Sequence, residues 1–314
     1  MKNFVIIGAS GFIAPRHMNA IKETKNNLVA AIDPSDNIGI IDTYFPEAKF
    51  FKDLKKFEPF YEGIKKENIK IDYFSICSPN YLHESHIKYA LNKNSNVICE
   101  KPLLLNTNAL EEIENISKKK NKTVYTILQL RYHPNIIKLK NEVLRQKKIY
   151  NIELTYITLR GSWYQNSWKG LESKSGGILM NIGIHFFDLL IWVFGDVVDI
   201  KLHTLSKDLA CGTLEFKKAK VQWFLSINGN YLPKKLKNKN IRTLRSIVVN
   251  NKKISLDYNF ENLHSLCYKN IFNQKGFGPK DCYKSIEIVS RIKNLPMNKN
   301  LENFHHPMIK SLLT

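Results

Sequence analysis

The chain predicts an α/β fold in two parts. Residues 1–129 read as a doubly wound parallel sheet. Residues 130–314 read as a second α+β domain with an open, mainly antiparallel sheet. Three observations carry this. Short, fully apolar runs alternate with helical patterns through the early part of the chain. The first of those runs ends in a glycine-bearing turn. Beyond about residue 130 the pattern changes to the two-residue alternation of half-buried strands.

Phe4-Val5-Ile6-Ile7 suits a strand buried on both faces, and it runs into Gly8-Ala9-Ser10-Gly11 before Phe12-Ile13-Ala14 opens a helix. The N–H groups of such a turn can cradle a pyrophosphate at the helix N-terminus. The match to G-x-G-x-x-G is incomplete, because Ser10 and Ile13 stand at the second and third glycine positions. A plain tight turn is the alternative. The next strand, residues 28–32, ends in Asp33. An acid there accepts ribose hydroxyls and repels a 2′-phosphate. The alternative is a turn residue before Pro34. Strand, glycine turn, helix, strand and acid together predict NAD.

Further strands read at residues 49–51, 73–77, 97–99 and 124–128, with helical patterns at 81–91 and 110–118. Ser78-Pro79-Asn80-Tyr81-Leu82-His83 follows the fourth strand. Ser78 and Asn80 can cap the next helix. They also lie beyond a strand's carboxyl end, where open α/β sheets bind ligands. The run Val97-Ile98-Cys99 leads into Glu100-Lys101-Pro102. Pro102 cannot donate to a ladder and stops the strand. A charged pair at the end of a buried strand is costly unless something uses it. That directs Lys101 into the cofactor crevice; a lysine merely leaving the core is the alternative.

Near Gln129-Leu130-Arg131-Tyr132-His133-Pro134 the organisation changes, and Pro134 starts a helix to about Leu144. Antiparallel strands then read at 152–159, 198–204, 213–216, 221–227 and 247–256, and a last helix at 281–292. Between them Gly176-Gly177 precedes an apolar helical stretch. On it Asn181, His185 and Asp188, spaced i, i+4 and i+7, share one face. Three polar groups in line on an apolar helix must find partners. His185 is the candidate acid/base; a satisfied core histidine is the alternative. No third ligand is placed by spacing, so no metal is expected.

The hydrophobic fraction of 43% supports a proper core. No window reads as apolar enough to span a bilayer: residues 178–195 come closest but carry Asn181, His185 and Asp188. The first strand begins at once, so no signal peptide is expected. Five cysteines form no Cys-x-x-Cys pair, which argues for reduced thiols, a cytoplasmic protein and no zinc site. The net charge of +20 would suit nucleic acid or an anionic ligand. Its densest run, residues 234–245, lacks the interleaved aromatics of a single-strand binding groove. The lysines read as biased composition, so no nucleic-acid partner is expected, and the field should attract anionic substrates.

These pieces, in this order and over nearly the whole chain, resemble the glucose–fructose oxidoreductase and inositol dehydrogenase family, Gfo/Idh/MocA. The Glu100-Lys101-Pro102 motif is the most specific. The resemblance implies a Rossmann domain, a second domain with an open sheet, and a bound nicotinamide cofactor. It also implies that Lys101 and His185 meet at the reacting carbon. Many members have Asp one turn before the His, where this chain has Asn181. The segments Gly8 to His17, Cys77 to His83, Leu128 to Arg131, Arg160 to Gly177 and Asn181 to Asp188 are similar to the group that oxidises C3 of UDP-N-acetylglucosaminuronic acid with NAD, for bacterial surface glycans. Asn181 is no departure in that group.

The resemblance and the residues together give the expected site. Lys101 and His185 are catalytic. Gly8, Ser10, Gly11, Phe12, Ile13, Asp33, Ser78, Asn80, His83, Glu100, Lys101, Gln129 and Trp168 face the cofactor. Arg131, Arg160, Lys169, Asn181, Lys101 and His185 face a UDP-sugar acid. A homo-oligomer, dimer or tetramer, is expected, because an open sheet face has to be covered. No membrane partner is expected. The rival readings are a dehydrogenase of another sugar or cyclitol, and a non-catalytic NAD-binding regulator on the same fold. Retention of both Lys101 and His185 speaks against the regulator.

Overall fold

The computed structural model describes residues 1–256, 262–298 and 304–309. They form two compact units, Met1–Gln129 with Glu261–Tyr283, and Leu130–Phe260 with Lys284–Thr314. The sequence reading gave all of 130–314 to the second domain, whereas Glu261–Tyr283 packs with the first unit. The reason is aromatic. The helix Leu263–Phe272 sets Tyr268 against Phe4, ring centroids 5.9 Å apart, and Phe272 against Tyr73, 5.6 Å apart.

The first unit holds a six-stranded sheet of β1 (Asn3–Ile7), β2 (Asn27–Ile32), β3 (Lys49–Phe51), β4 (Tyr73–Ile76), β5 (Asn96–Cys99) and β6 (Val124–Thr126). The strand order is β3-β2-β1-β4-β5-β6, and every pair is parallel. Phe4, Val5, Ile6, Phe74, Ile76, Val97, Ile98 and Cys99 are wholly buried, as strands covered on both faces require. The order reverses between β1 and β4. That is the switch point at which open α/β sheets hold their ligands.

The second unit holds β7 (Tyr150–Thr158), β8 (Val197–Leu205), β9 (Leu209–Phe216), β10 (Ala219–Ser226), β11 (Thr243–Val249) and β12 (Lys252–Ile254). Their order is β12-β11-β7-β10-β9-β8. Four pairs are antiparallel and β7·β10 is parallel, so the sheet is mixed. Alternation along β7 and β10 divides the faces. Tyr156 and Trp223 meet Phe186 and Phe187 of the helix Ile184–Phe194, at ring centroid distances of 5.0 and 5.4 Å. Thr155, Ile157 and Phe224 point the other way, where His306 and Ile309 pack.

The helical stretch Glu172–Phe194, 23 residues with an 18-residue window of mean hydropathy 1.8, is long and apolar enough to cross a membrane by length and composition alone. The sequence reading found no such window. Its most apolar part is 72% buried inside the fold, as in a core helix. It contains a π turn, Leu179–Gly183, before the α-helix Ile184–Phe194 begins. A π turn takes up an extra residue, so residues beyond it lag in phase. The single face expected for Asn181, His185 and Asp188 is therefore split. Between residues 178 and 190 only Asn181 and His185 reach the surface in part, while Asp188 is buried.

Candidate active site

In the first unit the glycine turn and the loop after β4 meet at the switch point. Gly8 has φ of +89°, and a Cβ there would stand 2.5 Å from the Ser78 amide nitrogen and 2.6 Å from the Cys77 carbonyl carbon. Backbone cannot yield to that, so only glycine brings the two loops this close. Gly11 N–H donates to the Gly8 carbonyl at 3.2 Å and closes the turn. Phe12 projects from it, 86% exposed. Ile13 is the residue before the helix Ala14–Glu23.

Asp33 is buried at the tip of β2. Its carboxylate accepts the Ser10 N–H at 3.0 Å and the Ser35 N–H at 2.8 Å. The acid is thus tied to the glycine turn. At the far side of the sheet, just past β6, Gln129 is buried and its Oε1 has no partner among the described residues. A glycine-forced turn, a fixed acid and a buried acceptor awaiting a donor fit a dinucleotide with a carboxamide. A 2′-phosphate would meet the Asp33 charge, at a cost of roughly a few kcal/mol in a partly dry crevice. NAD is therefore expected to bind at least tenfold tighter than NADP, with the gap narrowing in Asp33→Asn. Equal affinities by fluorescence titration would exclude this role for Asp33.

Asn80 begins the short turn Asn80–Leu82 and is buried. Ser78 Oγ lies 2.9 Å from His86 Nδ1. His83 touches two carbonyl oxygens, Pro102 O at 2.8 Å and Ser78 O at 2.9 Å, and so links the loops after β4 and β5. Burial pulls its pKa down, against those two acceptors.

Lys101 follows β5 and is half-buried. Its N–H donates to Glu100 Oε2 at 3.2 Å. Glu100, expected among the cofactor contacts, spends its other oxygen on protein as well. Oε1 accepts from His17 Nε2 at 2.9 Å and His264 Nε2 at 3.0 Å. Burial alone would raise the Glu100 pKa, but the two imidazoles hold it well below the usual carboxylate range. These three side chains are also the cluster best placed to ligate a metal among the described residues. Their separations are those of hydrogen bonds to one shared oxygen. Sequence reasoning missed this cluster apart from Glu100.

In the second unit Asn181 Nδ2 donates to Tyr164 Oη at 2.6 Å. The loop before it carries Arg160, Trp163, Tyr164, Trp168 and Lys169. Lys169 Nζ stands over the Trp163 and Trp168 rings, at 5.1 and 5.5 Å from their centroids. Burial, and then the Arg160 charge, push its pKa down. Among the described residues neither Arg160 nor Lys169 has a carboxylate partner, so two cations share a neighbourhood with no counter-charge. Arg131 differs. Its Nε and Nη2 donate to Asp188 Oδ2 and Oδ1 at 2.9 and 2.7 Å, with both side chains buried. That fork is already matched to a carboxylate of the protein.

Residues 2–128 match the oxidoreductase family GFO_IDH_MocA, NAD-binding Rossmann fold, and residues 138–236 match the family's C-terminal alpha/beta domain. The chain belongs to the Gfo/Idh/MocA oxidoreductase family. Within it the WlbA (WbpB) dehydrogenase of Thermus thermophilus is 39% identical, with TM-score 0.92 over 98% of this chain and 99% of that one. That protein has been solved with NAD and UDP-GlcNAcA, and with NAD and alpha-ketoglutarate. The WlbA dehydrogenase of Bordetella pertussis, 18% identical with TM-score 0.75 over 95% and 98% of the chains, shares the fold. The glucose-6-phosphate 3-dehydrogenase of Bacillus subtilis is 25% identical across 93% of this chain and 73% of its own length.

Proposed function

We propose that this oxidoreductase oxidises C3 of UDP-N-acetylglucosaminuronic acid, its C3 hydrogen leaving as hydride to NAD and its hydroxyl hydrogen as a proton, and so forms a 3-keto sugar for bacterial surface-glycan synthesis. The observation that carries this is the 39% identity over 98% of the chain to a dehydrogenase solved with NAD and that sugar. NAD, held by the Gly8–Gly11 turn, Asp33 and Gln129, would supply the two-electron acceptor for C3 and, once reduced, the donor for a 2-oxo acid. His185 takes the hydroxyl proton, since an imidazole is the residue type suited to that task near neutral pH. Lys101 donates to the C3 oxygen and stabilises the developing alkoxide. Asn181, held by Tyr164, orients the sugar beside His185.

Arg160 and Lys169, without a carboxylate partner among the described residues, take the sugar acid's carboxylate or diphosphate, and Trp163 and Trp168 offer stacking faces. A site built to pair a charge discriminates strongly against a ligand that lacks it. UDP-N-acetylglucosaminuronate should therefore reduce the cofactor, and UDP-N-acetylglucosamine hardly at all. The likeness to a protein solved with alpha-ketoglutarate supports reoxidation of the cofactor in place. The assay therefore has two arms, added NAD alone and added 2-oxo acid, with the sugar product weighed by mass spectrometry. Oxidation of a free sugar or of inositol, with the UDP-uronic acid untouched in both arms, would overturn the reading. The setting we propose is a cytoplasmic homo-oligomer, to be tested by light scattering.

A further inference from the structure

The hydrogen-bonded cluster around Glu100 asks for a purpose. Val97, Ile98 and Cys99 before it are apolar and wholly buried. A strand built only for stability would continue with another apolar residue, because buried ionic networks replaced by well-packed hydrophobes often lose no stability. Position 100 instead carries a carboxylate, 6% exposed, which demands donors from elsewhere. They come from two helices. His17 lies on the helix that follows the glycine turn, and His264 on Leu263–Phe272.

The hydrogen-bond pattern is self-consistent. His17 Nε2 donates to Glu100, while its Nδ1 lies 2.8 Å from both Ser75 Oγ and Tyr268 Oη. Those hydroxyls are 2.8 Å from one another, so one can donate to Nδ1 and the other to its neighbour. His264 Nε2 donates to Glu100, and its buried Nδ1 has no partner among the described residues. Burial pulls the His264 pKa down. Both imidazoles thus turn Nε2 to the same Glu100 oxygen. The second Glu100 oxygen takes the Lys101 N–H.

We propose that His17 and His264 are positioning residues that act through Glu100. They fix the carboxylate, the carboxylate fixes the Lys101 backbone, and the Lys101 amine is thereby aimed at the hydroxyl being oxidised. The chain of contacts ties Lys101 to the helix of the cofactor turn, so that amine and cofactor site share one frame. This rests on the function proposed above only for its kinetic readout.

The test uses the full-length enzyme and three variants. His264→Leu removes the donor, His264→Gln restores an N–H near the Nε2 position, and Glu100→Gln keeps the shape without the charge. In His264→Leu, kcat should fall about tenfold or more, while KM for the sugar and Kd for NAD stay within about threefold. His264→Gln should recover most of kcat, which a purely structural role would not require. Independently of any substrate, hydrogen exchange at the Lys101 amide should quicken in His264→Leu and Glu100→Gln, and hold in His264→Gln. Unchanged exchange at that amide in His264→Leu and Glu100→Gln overturns the proposal. So does equal loss of kcat in the Leu and Gln variants. If His264→Leu does not fold, Glu100→Gln carries the same comparison. If the wild type shows no turnover yet the amide behaves as expected, the substrate reading fails and the positioning stands.

Discussion

Lys101→Ala and His185→Ala are each expected to lower kcat by about 10²–10⁴-fold, the range for a positioned acid/base or a donor at a developing oxyanion. Both residues are half-buried and lie in different units of the fold, Lys101 after β5 and His185 on the helix Ile184–Phe194. Neither truncation opens a closed core, so circular dichroism and thermal melting should be close to wild type. The two variants should differ in their pH profiles. Loss of His185 should remove the limb of kcat that reports the base becoming unprotonated. Lys101→Ala should keep the limb and lower its plateau. Near-normal turnover in His185→Ala would transfer the base to Lys101. Unchanged turnover in Lys101→Ala would remove the lysine from the chemistry.

What the sequence discloses and what it hides divide along one physical line. Strands buried on both faces announce themselves as short apolar runs, and the glycine turn announces itself by Gly8 and Gly11. The parallel sheet, its switch point and Asp33 at the tip of β2 are legible on those grounds. The partners of buried polar groups are not. His17 and Glu100 are 83 positions apart, and His264 and Glu100 are 164 apart, so no spacing rule joins them. Helix Leu263–Phe272 was not foreseen, because its polar and apolar residues are too mixed for a clear stripe. The one available hint was a glutamate at the end of an apolar strand, which implied buried donors without saying from where. The π turn is hidden for a different reason. Periodicity reads average spacing, and one extra residue in a single turn leaves that average nearly intact.

The Arg131–Asp188 pair gives the largest expected effect on stability. Both oxygens of Asp188 are bound by Arg131, and both side chains are about 95% or more buried. Removing one partner takes the matched ion pair from the other buried charge, which costs about 3–5 kcal/mol. For a unit of this size about 2–4 °C of melting temperature is lost per kcal/mol, so Arg131→Ala or Asp188→Ala should melt roughly 10 °C earlier. The double replacement Arg131→Met with Asp188→Leu should recover much of that loss, since no charge is left unpaired. The same variants separate two roles for Arg131. If it grips the carboxylate of the sugar acid, Arg131→Ala raises KM for the uronic acid selectively and Asp188→Ala does not. If it serves the fold, as its bidentate match to Asp188 indicates, both single variants lose melting temperature together. The double variant then restores it, with KM for the uronic acid near wild type. The effect should reach His185 too, because Asp188 stands three residues after it on the same helix. Either single variant should therefore lose some kcat in step with its loss of stability.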